Sequence, residues 1–478
     1  MVQDLLLTAP FTFLSAMAII AMVLDALIKN SSRVTFLFSV ITLIASGILA
    51  IGTFGMHGIG FNGMITGGGY ASYFDVLFSI GGLLTIIAAR PYLQREHVEH
   101  DEFYSLILFC VGGMMLIGHS NNLLTLFIGI EIMSVIFYIL SGYTRSNIRS
   151  IESSLKYFLL GAFSTGFLVY GMALIYGATG SMDYNQIAMN ISRDSINFPS
   201  LLPIGIALIV IGLSFKAAAF PFHQWAPDVY QGAPTVVTAF MSTAGKTAAF
   251  AAFMPIVMVL MPAAPERLQM IFAVLAAATM LVGNISALAQ TNIKRMLAFS
   301  SVAHAGYIMM GLVTGSQAGY SGILFYLTSY VFMQIGAFII VGLLERNGDT
   351  YLELKDYAGL SKSHPVLAAF MTIFMLSLAG IPPFAGFFGK YYLFTAAIDA
   401  GYLWLTIVAV LSSVISVYFY IGLIVKMYFN EPEHELEQAP TGMSAIPLVI
   451  TIASVIILGI MPSGILSLAG YIFGHSSH

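Results

Sequence analysis

Fourteen apolar segments, each about as long as a membrane-crossing helix, follow one another along this chain of 478 residues. About 20 apolar residues in a helix cross the hydrocarbon core of a bilayer. Inside the bilayer every backbone polar group needs a partner within the protein, which favours helices. The sequence therefore predicts an all-α polytopic membrane protein with spans near 8–28, 34–53, 72–91, 102–118, 121–142, 153–177, 202–222, 234–260, 267–288, 293–313, 318–344, 365–398, 402–426 and 443–470.

Composition indicates the same class and excludes a soluble globular protein. Hydrophobic residues make up 58% of the chain and charged residues only 8%, too few for the surface of a soluble protein of this size. The single cysteine, Cys110, can form no internal disulfide and cannot by itself ligate an iron–sulfur cluster. The run GIGFNG at 58–63 fits a GxGxxG pattern but lacks the strand and βαβ context that nucleotide binding needs. We expect no cofactor or metal on this chain, the lipid bilayer around it, and no nucleic-acid partner.

The basic residues set the predicted orientation. One set of alternate loops and helix ends carries only Arg193 and Arg267, and three lysines lie within spans. Because cytoplasmic loops are enriched in lysine and arginine, the richer set faces the cytoplasm and both termini face outward. That set comprises Lys29, Arg33, Arg90, Arg95, Arg145, Arg149, Lys156, Lys294, Arg295, Arg346, Lys355, Lys362 and Lys426.

An internal symmetry follows from the span lengths. Two blocks of five helices have nearly equal length, and an odd number of helices makes the second block enter the membrane from the opposite side. Two inverted repeats are therefore predicted. The expected organisation is helices 1–3 in 1–101, a first repeat in 102–260, a second in 261–426, and a cytoplasmic loop with helix 14 in 427–478.

The fourth helix of each repeat is interrupted by proline, at Pro221 in the first and at Pro382 and Pro383 in the second. Proline offers no N–H to the carbonyl four residues earlier, so the carbonyls of Ala217, Leu378 and Ala379 lose their helical donors. Paired broken helices in inverted repeats are typical of a transport site near the bilayer midplane. The alternative is a kink that only aids packing.

Three lysines lie inside otherwise apolar spans: Lys216, Lys246 and Lys390. A cation at the centre of a membrane helix costs roughly 3 kcal/mol on insertion scales, so three of them indicate that moving ions or protons is the task. A buried lysine releases its proton more readily when a partner anion leaves and holds it when the anion returns. The alternative for each lysine is a static pair or a side chain that reaches the membrane surface.

The predicted partner of Lys216 is Glu131, the one acid deep within an apolar span of the first repeat. Lys216 lies about one and a half turns before Pro221, where freed carbonyls and water are expected to solvate it. Lys246 lies in the middle of the next span. Lys390 follows the second break and is predicted to be the ionisable group nearest the outer exit.

Three further residues are weaker candidates for proton transfer. His304 falls within an apolar span and, as a group that titrates near neutral pH, is placed to carry protons between Lys246 and Lys390; a hydrogen-bonded core histidine is the alternative. His223 lies at the first break, five residues before Asp228, either at a proton entrance or in a structural turn. Lys156 is at a membrane edge, and its position is equally compatible with a positively charged anchor at the membrane surface and with a proton-relay group.

Several motifs carry a family resemblance. The runs FPFHQWAPDVYQGAPT, STAGKTAAF, IKRMLAFSSVAHAGY and SLAGIPPFAGFFGKYYLF are similar to those of the antiporter-like membrane subunits of NADH:quinone oxidoreductase, respiratory complex I. The resemblance covers about 102–426. Within this family, PDVYQGAPT, a lysine at Lys390 and the lack of residues for a long lateral helix after span fourteen resemble the subunit N branch.

The resemblance implies a component of a redox-driven proton pump in a bacterial cytoplasmic membrane. It implies a charge pair of Glu131 and Lys216, a central relay at Lys246 and an outlet at Lys390. NADH, FMN, the iron–sulfur clusters and quinone would bind other subunits, and other membrane subunits of complex I would be the partners.

Two alternatives stay open. A multisubunit cation/proton antiporter shares the ancestral fold and similar lysines, although the form of PDVYQGAPT disfavours it. A membrane scaffold that does not conduct is the other, and the three buried lysines disfavour it because a scaffold would be more stable without them.

Overall fold

The computed structural model describes residues 2–28, 31–432 and 442–474, and these fold almost entirely into helices. Lys29, part of the charge argument above, and most of the predicted cytoplasmic loop after 427 lie outside these ranges. The one sheet in the described ranges is an antiparallel hairpin, β1 Gly58–Gly60 with β2 Ile65–Gly67. It follows the N-terminal helices α1 Val2–Leu7, α2 Ala9–Leu27 and α3 Ser32–Thr53, and precedes α4 Gly69–Arg95.

The region of the first predicted repeat contains a helix that is broken in two and another that contains a π-helical turn. The π-helical turn spans Met241–Gly245 and runs directly into the last helix. The helices are α5 Glu102–Gly118, α6 Leu123–Ser141, α7 Ile148–Thr179, α8 Tyr184–Ser192, α9 Leu201–Ala217, α10 Trp225–Gly232, α11 Thr235–Phe240 and α12 Lys246–Leu260.

In the described residues from 261 onward there are nine further helices. Short 3₁₀ turns at Met261–Ala263, Leu354–Tyr357 and Gly442–Ser444 connect some of them. The helices are α13 Pro265–Leu288, α14 Ile293–Thr314, α15 Gln317–Leu344, α16 Leu360–Ser363, α17 Pro365–Ala379, α18 Ala385–Asp399, α19 Leu403–Phe429, α20 Ala445–Ile460 and α21 Ser463–Gly474.

Within the described ranges, 11 helices are long and apolar enough to cross a membrane, so the all-α class is confirmed. Three of the predicted spans fall on shorter apolar helices: Glu102–Gly118, Leu201–Ala217 and Pro365–Ala379. Two of these three end at the proline breaks, which divide a span into two pieces. The count of fourteen and the inverted relation of the repeats therefore stay predictions.

The helices differ in how deeply they are buried, and this locates the core. In the most apolar 18-residue stretch of α15, 100% of the residues are buried inside the protein, and in that of α14 the share is 94%. Both helices are apolar on all sides, as expected for elements at the centre of a bundle. In the corresponding stretch of α2 only 22% of the residues are buried, and α3, α7 and α19 also expose much of their apolar surface. The peripheral helices thus present an apolar surface suited to lipid or to other subunits.

Glycines let two helix pairs approach closely. Gly171 of α7 faces Gly205 of α9, and a Cβ on either would lie about 3 Å from the other's carbonyl oxygen. Gly113 of α5 faces Gly129 of α6 in the same way. Small residues at such crossings are the usual means of close packing between membrane helices. These crossings hold α7 against α9 and α5 against α6, and α6, α7 and α9 contribute to the site described next.

Candidate functional site

The first helix break exposes a backbone carbonyl that a lysine then occupies. Helix α9 ends at Ala217, the next residue adopts a left-handed conformation, and the Phe220–Pro221 bond is cis. Because Pro221 has no N–H, the Ala217 carbonyl lacks its helical donor, as the sequence predicts. The ammonium of Lys246 donates to this oxygen at 3.2 Å.

Lys246 therefore joins two elements that are far apart in the sequence. Its Nζ also donates to the backbone carbonyl of Ser301, on α14, at 2.7 Å, and its side chain is only 2% exposed. Lys246 directly follows the π-helical turn, a feature that often occurs at functional sites within helices. No acidic side chain forms an ion pair with Lys246 within the described ranges.

The second break repeats this arrangement with another lysine. Helix α17 ends at Ala379, and α18 begins at Ala385 beyond the two prolines. The Ala379 carbonyl accepts a hydrogen bond from Lys390 Nζ at 2.8 Å. Lys390, 4% exposed, also donates to Ser413 Oγ at 2.8 Å and lies 4.8 Å from the centroid of the Tyr307 ring. Each break thus supplies an acceptor for a buried ammonium.

Lys216 is placed differently from the prediction that the freed carbonyls would solvate it. Its Nζ donates to Ser134 Oγ at 2.8 Å and to the Tyr138 hydroxyl at 3.4 Å, both on α6. Helical side chains lean towards the N-terminus, so Lys216, in the last turn of α9, points away from the break. The Ala217 carbonyl is left for Lys246, and the prediction for Lys216 was wrong on this point.

Glu131 lies one turn before Ser134 on α6 and is half-buried. Its Oε1 accepts a hydrogen bond from Thr165 Oγ1, on α7, at 2.8 Å. Among the described side chains, Glu131 is not within ion-pair distance of Lys216, because Ser134 occupies the ammonium. Glu131 and the partner of Lys216, Ser134, therefore lie one turn apart on α6.

His304 lies between the two lysines along α14. The carbonyl that accepts from Lys246 is three residues before it, at Ser301, and the ring beneath Lys390 is three residues after it, at Tyr307. His304 is buried, and its two ring nitrogens are hydrogen-bonded to the hydroxyls of Tyr326, at 2.6 Å, and Tyr420, at 3.1 Å. The predicted position between Lys246 and Lys390 is correct, with tyrosines as its direct partners.

Lys156 belongs to a partly exposed charge cluster. Its Nζ donates to Asp228 at 2.8 Å and lies 2.7 Å from Glu152, and Arg295 donates to the other oxygen of Asp228 at 2.7 Å. Burial by itself would raise the pKa of Asp228, but the hydrogen bonds from Lys156 and Arg295 outweigh it and lower that pKa below its ordinary value. This cluster fixes α10 to α7 and α14.

His223 and Asp228 do not come together, although both flank the first break. Asp228 is occupied by Lys156 and Arg295. His223 is buried, and its Nδ1 has no hydrogen-bond partner among the residues that the structure describes. Its ring contacts only that of Phe220 closely, with centroids 5.8 Å apart.

Sequence reasoning missed the hydroxyl groups that connect the charged residues. Ser134 follows Glu131 by three residues, a spacing that places both on one helix face. The sequence does not indicate that Tyr326 and Tyr420 bond to His304, because these contacts depend on how α15 and α19 pack against α14. No group of three or more His, Cys, Asp or Glu residues that could hold a metal occurs in the described part of the chain.

Comparison with known proteins places these residues in a family. A family model described as NADH:quinone oxidoreductase/Mrp antiporter, TM, matches residues 120–416, which include all seven candidate residues. NADH-quinone oxidoreductase subunit N of Trichlorobacter lovleyi is 44% identical over 96% of this chain and 95% of its own length. This chain belongs to the NADH-quinone oxidoreductase subunit N family. A second member, subunit N 1 of Chloroherpeton thalassium, is 42% identical over 97% of each chain.

Solved structures agree with the subunit N family. A chain of respiratory complex I from Thermus thermophilus, solved with bound aureothin, superposes with a TM-score of 0.82 at 32% identity, covering 96% of this chain and 98% of its own. A chain of the Mrp complex from Dietzia sp. has a TM-score of 0.86 at 23% identity, covering 97% and 96%, which shows a shared fold. The all-α membrane fold is therefore that of subunit N and its structural relatives.

In this member of the subunit N family the candidate residues form a nearly continuous series. Thr165 donates to Glu131, and one turn further along α6 the Ser134 hydroxyl accepts from Lys216, which is followed in the chain by Ala217. The remaining steps are short and mostly polar, and they run along Ala217, Lys246, Ser301, His304, Tyr326 or Tyr420, Tyr307 and Lys390. Hydroxyl groups and imidazole both donate and accept hydrogen bonds, whereas the backbone carbonyls of Ala217 and Ser301 only accept them.

Proposed function

We propose that this chain is a proton-translocating membrane subunit of NADH:quinone oxidoreductase. It couples quinone reduction, which occurs elsewhere in the complex, to proton transfer through Glu131, Lys216, Lys246, His304 and Lys390. The observation that carries the proposal is that both helix breaks present a carbonyl to a buried lysine and that α14 connects the two lysines through His304. Membership in the subunit N family supports it.

The partners of the lysines suit a change of charge. Lys216 is bound by two hydroxyl groups, which can accept from an ammonium or donate to a neutral amine. Approach of Glu131 to Lys216 stabilises the ammonium, and its departure favours release of the proton. Among the described residues, Lys246 is held only by carbonyl oxygens and has no fixed counter-ion, so its positive charge is the more easily given up. A proton released near Ala217 is therefore taken up at Lys246 and passed towards Lys390.

The proposal includes two inverted five-helix repeats within fourteen spans. The equivalent use of the two breaks supports this symmetry. In the first repeat a lysine of the next helix occupies the freed carbonyl, at Lys246 and Ala217. In the second, Ser413 of the next helix donates to Ala379 at 3.3 Å beside Lys390. One ancestral position therefore carries a lysine in one repeat and a serine in the other.

The surroundings follow from the same proposal. The chain lies in the cytoplasmic membrane of a bacterium, with both termini outward, as the distribution of lysine and arginine supports. The exposed apolar faces of α2, α3, α7 and α19 contact lipid and neighbouring membrane subunits of complex I. NADH, FMN, iron–sulfur clusters and quinone bind other subunits. His223 is an entrance group at the first break, and Lys156 anchors α10.

The function is tested with inverted membrane vesicles in which the complex carries either this chain or its Lys216→Ala variant, at equal assembled amounts. NADH oxidation and NADH-driven proton uptake are measured together, with Ser214→Ala as a control on the same helix. We expect Lys216→Ala to lower both signals and the control to leave them unchanged. Unchanged signals in Lys216→Ala, together with sodium/proton exchange by the chain, would favour an antiporter instead.

A further inference from the structure

A second buried acid–base pair lies away from the series described above. Lys294, in the first turn of α14, and Glu345, directly after α15, have Nζ and Oε1 3.8 Å apart, and both side chains are at most 1% exposed. Lys294 donates to the carbonyl of Ala233 at 2.7 Å. The hydroxyls of Thr235 and Tyr92 face the Glu345 carboxylate, but among the described residues neither carboxylate oxygen has a hydrogen bond of good geometry. A buried carboxylate in this state is costly, which points to a use for it.

A cleft of about 630 Å³ lies next to the pair in the chain, on the side that we assign to the cytoplasm. The cleft begins at the residue after Glu345. Its Leu352 carbonyl accepts the N–H of Ile293, the neighbour of Lys294. The cleft is lined by Arg346, Asn347, Asp349, Thr350, Tyr351, Leu352, Glu353 and Asp356.

Beyond the pair, polar side chains follow the contact between α14 and α15. Gln334 Nε2 donates to the carbonyl of Leu297, one turn along α14 from Lys294, at 3.4 Å. Gln334 Oε1 is buried and has no partner among the described residues. An unsatisfied amide oxygen inside an apolar bundle is a position where water is expected to bind.

Two more buried polar atoms of this kind lie on α14 and α15 near the central lysine, Lys246. The hydroxyls of Tyr330, one turn from Gln334 on α15, and of Ser301 on α14 are also buried without partners in the described part of the chain. The ring of Tyr330 lies 5.2 Å from that of His304, and the Ser301 carbonyl accepts from Lys246. We refer to Gln334, Tyr330 and Ser301 as the α14–α15 seam.

We propose that Glu345 and Lys294 form a cytoplasmic port that delivers protons along the α14–α15 seam to Lys246. The Glu345 carboxylate takes a proton from a hydronium ion in the cleft, which leaves water, and becomes a neutral carboxyl. It then releases the proton to water bound along the seam, and the neutral amine of Lys246 accepts it as an ammonium. The charge of Lys294 favours return of Glu345 to its ionised form. This inference rests on the proposed function, because it supplies protons to the same relay.

The alternative is a purely structural ion pair, and a charge-neutral double variant separates the two. Removing one member leaves an uncompensated buried charge, whereas removing both does not. Glu345→Gln, Lys294→Met and the double variant are compared in inverted vesicles at equal assembled amounts, with NADH-driven proton uptake as the readout. For a port, the double variant assembles and still loses about tenfold or more of its proton uptake. Normal uptake by the double variant would overturn the proposal.

The seam is tested without any change of charge. Gln334→Leu keeps the volume similar and removes the amide, so we expect a loss of about tenfold. Ser329→Ala is the control, because the Ser329 hydroxyl bonds only within its own helix, to Phe325. Normal uptake with Gln334→Leu overturns the port even where the double variant fails to assemble. Lys246→Met is measured alongside: normal uptake there contradicts the proposed function itself, whereas normal uptake in the seam variants alone contradicts only the port.

Discussion

The ammonium of Lys390 donates a hydrogen bond to the backbone carbonyl of Ala379 at 2.8 Å. That carbonyl is free because Pro383, four residues later, has no N–H. Lys246 and Ala217 stand in the same relation at the other break, at 3.2 Å. The prolines thus create the acceptors that make two buried ammonium groups tolerable, and the breaks and the lysines form one functional unit.

The first prediction concerns the two partners of Lys390. Lys390→Met removes the titrating group, so we expect NADH-driven proton uptake to fall about 100-fold. Ser413→Ala removes only one of two acceptors, and the loss of about 1 kcal/mol predicts an effect of about fivefold. Thr395→Val, on the same helix, is the control. Equal effects of Lys390→Met and Ser413→Ala would contradict this account of the outlet.

The second prediction concerns the Ser134 hydroxyl that accepts from Lys216. Ser134→Ala removes the strongest hydrogen bond of Lys216, so the lysine loses its fixed position and proton uptake falls about fivefold. Ser134→Thr keeps the hydroxyl and retains most of the uptake. Ser141→Ala is a matched control, since that hydroxyl bonds a carbonyl of its own helix at 3.0 Å. Identical rates for the alanine and threonine variants at position 134 would argue against the role of Ser134.

The third prediction decides between a relay and a core role for His304. His304→Gln can still hydrogen-bond to Tyr326 and Tyr420 but cannot take up a proton. A relay predicts normal assembly with proton uptake lowered about tenfold or more. If uptake stays normal in the assembled variant, His304 is a core histidine and the two lysines communicate by another path.

Much of this site follows from the sequence, and the limits have physical causes. The proline rule identifies Ala217 and Ala379 as free acceptors, because loss of the N–H is a local property of the backbone. Which lysine binds Ala217 depends on how α9, α12 and α14 pack, which the sequence pattern does not contain. Lys216, although closer in the chain, points the other way.

The charge pattern has a similar limit. Lys294 counts among the basic residues of loops and helix ends, and its position in the chain agrees with that. Its burial beside Glu345 depends on a residue that follows 51 positions later, after a whole helix. The segment 365–398 reads as one long span for the same reason: hydropathy detects apolar length but not the turn at Gly380.

The fourth prediction concerns the partly exposed cluster around Asp228. Asp228→Asn removes the negative charge that pairs with Lys156 and Arg295 and one of the two acceptor oxygens, and exposed ion pairs are worth about 1 kcal/mol or less. The pKa of Asp228 is lowered by these partners, so their stabilisation is fully present above the ordinary carboxyl pKa of 3.8 and is lost as the pH falls through the lowered value.

Thermal unfolding of the assembled complex measures this effect. We expect Asp228→Asn to lower the unfolding temperature slightly at pH 7, and the difference from the parent to vanish in strong acid. Lys156→Met should leave proton uptake within about twofold, since an exposed anchor does not limit transfer. A large loss of uptake in Lys156→Met, with assembly intact, would instead give Lys156 a relay role.

The most direct measurement is NADH-driven proton uptake by inverted vesicles that contain the Lys246→Met complex, with Thr247→Val as control at equal assembled amounts. Lys246 joins the Ala217 carbonyl at the first break to α14, so the account predicts that uptake and NADH:quinone turnover are both lost in Lys246→Met and retained in Thr247→Val. Normal proton uptake in an assembled Lys246→Met complex would contradict the relay and, with it, the proposed function.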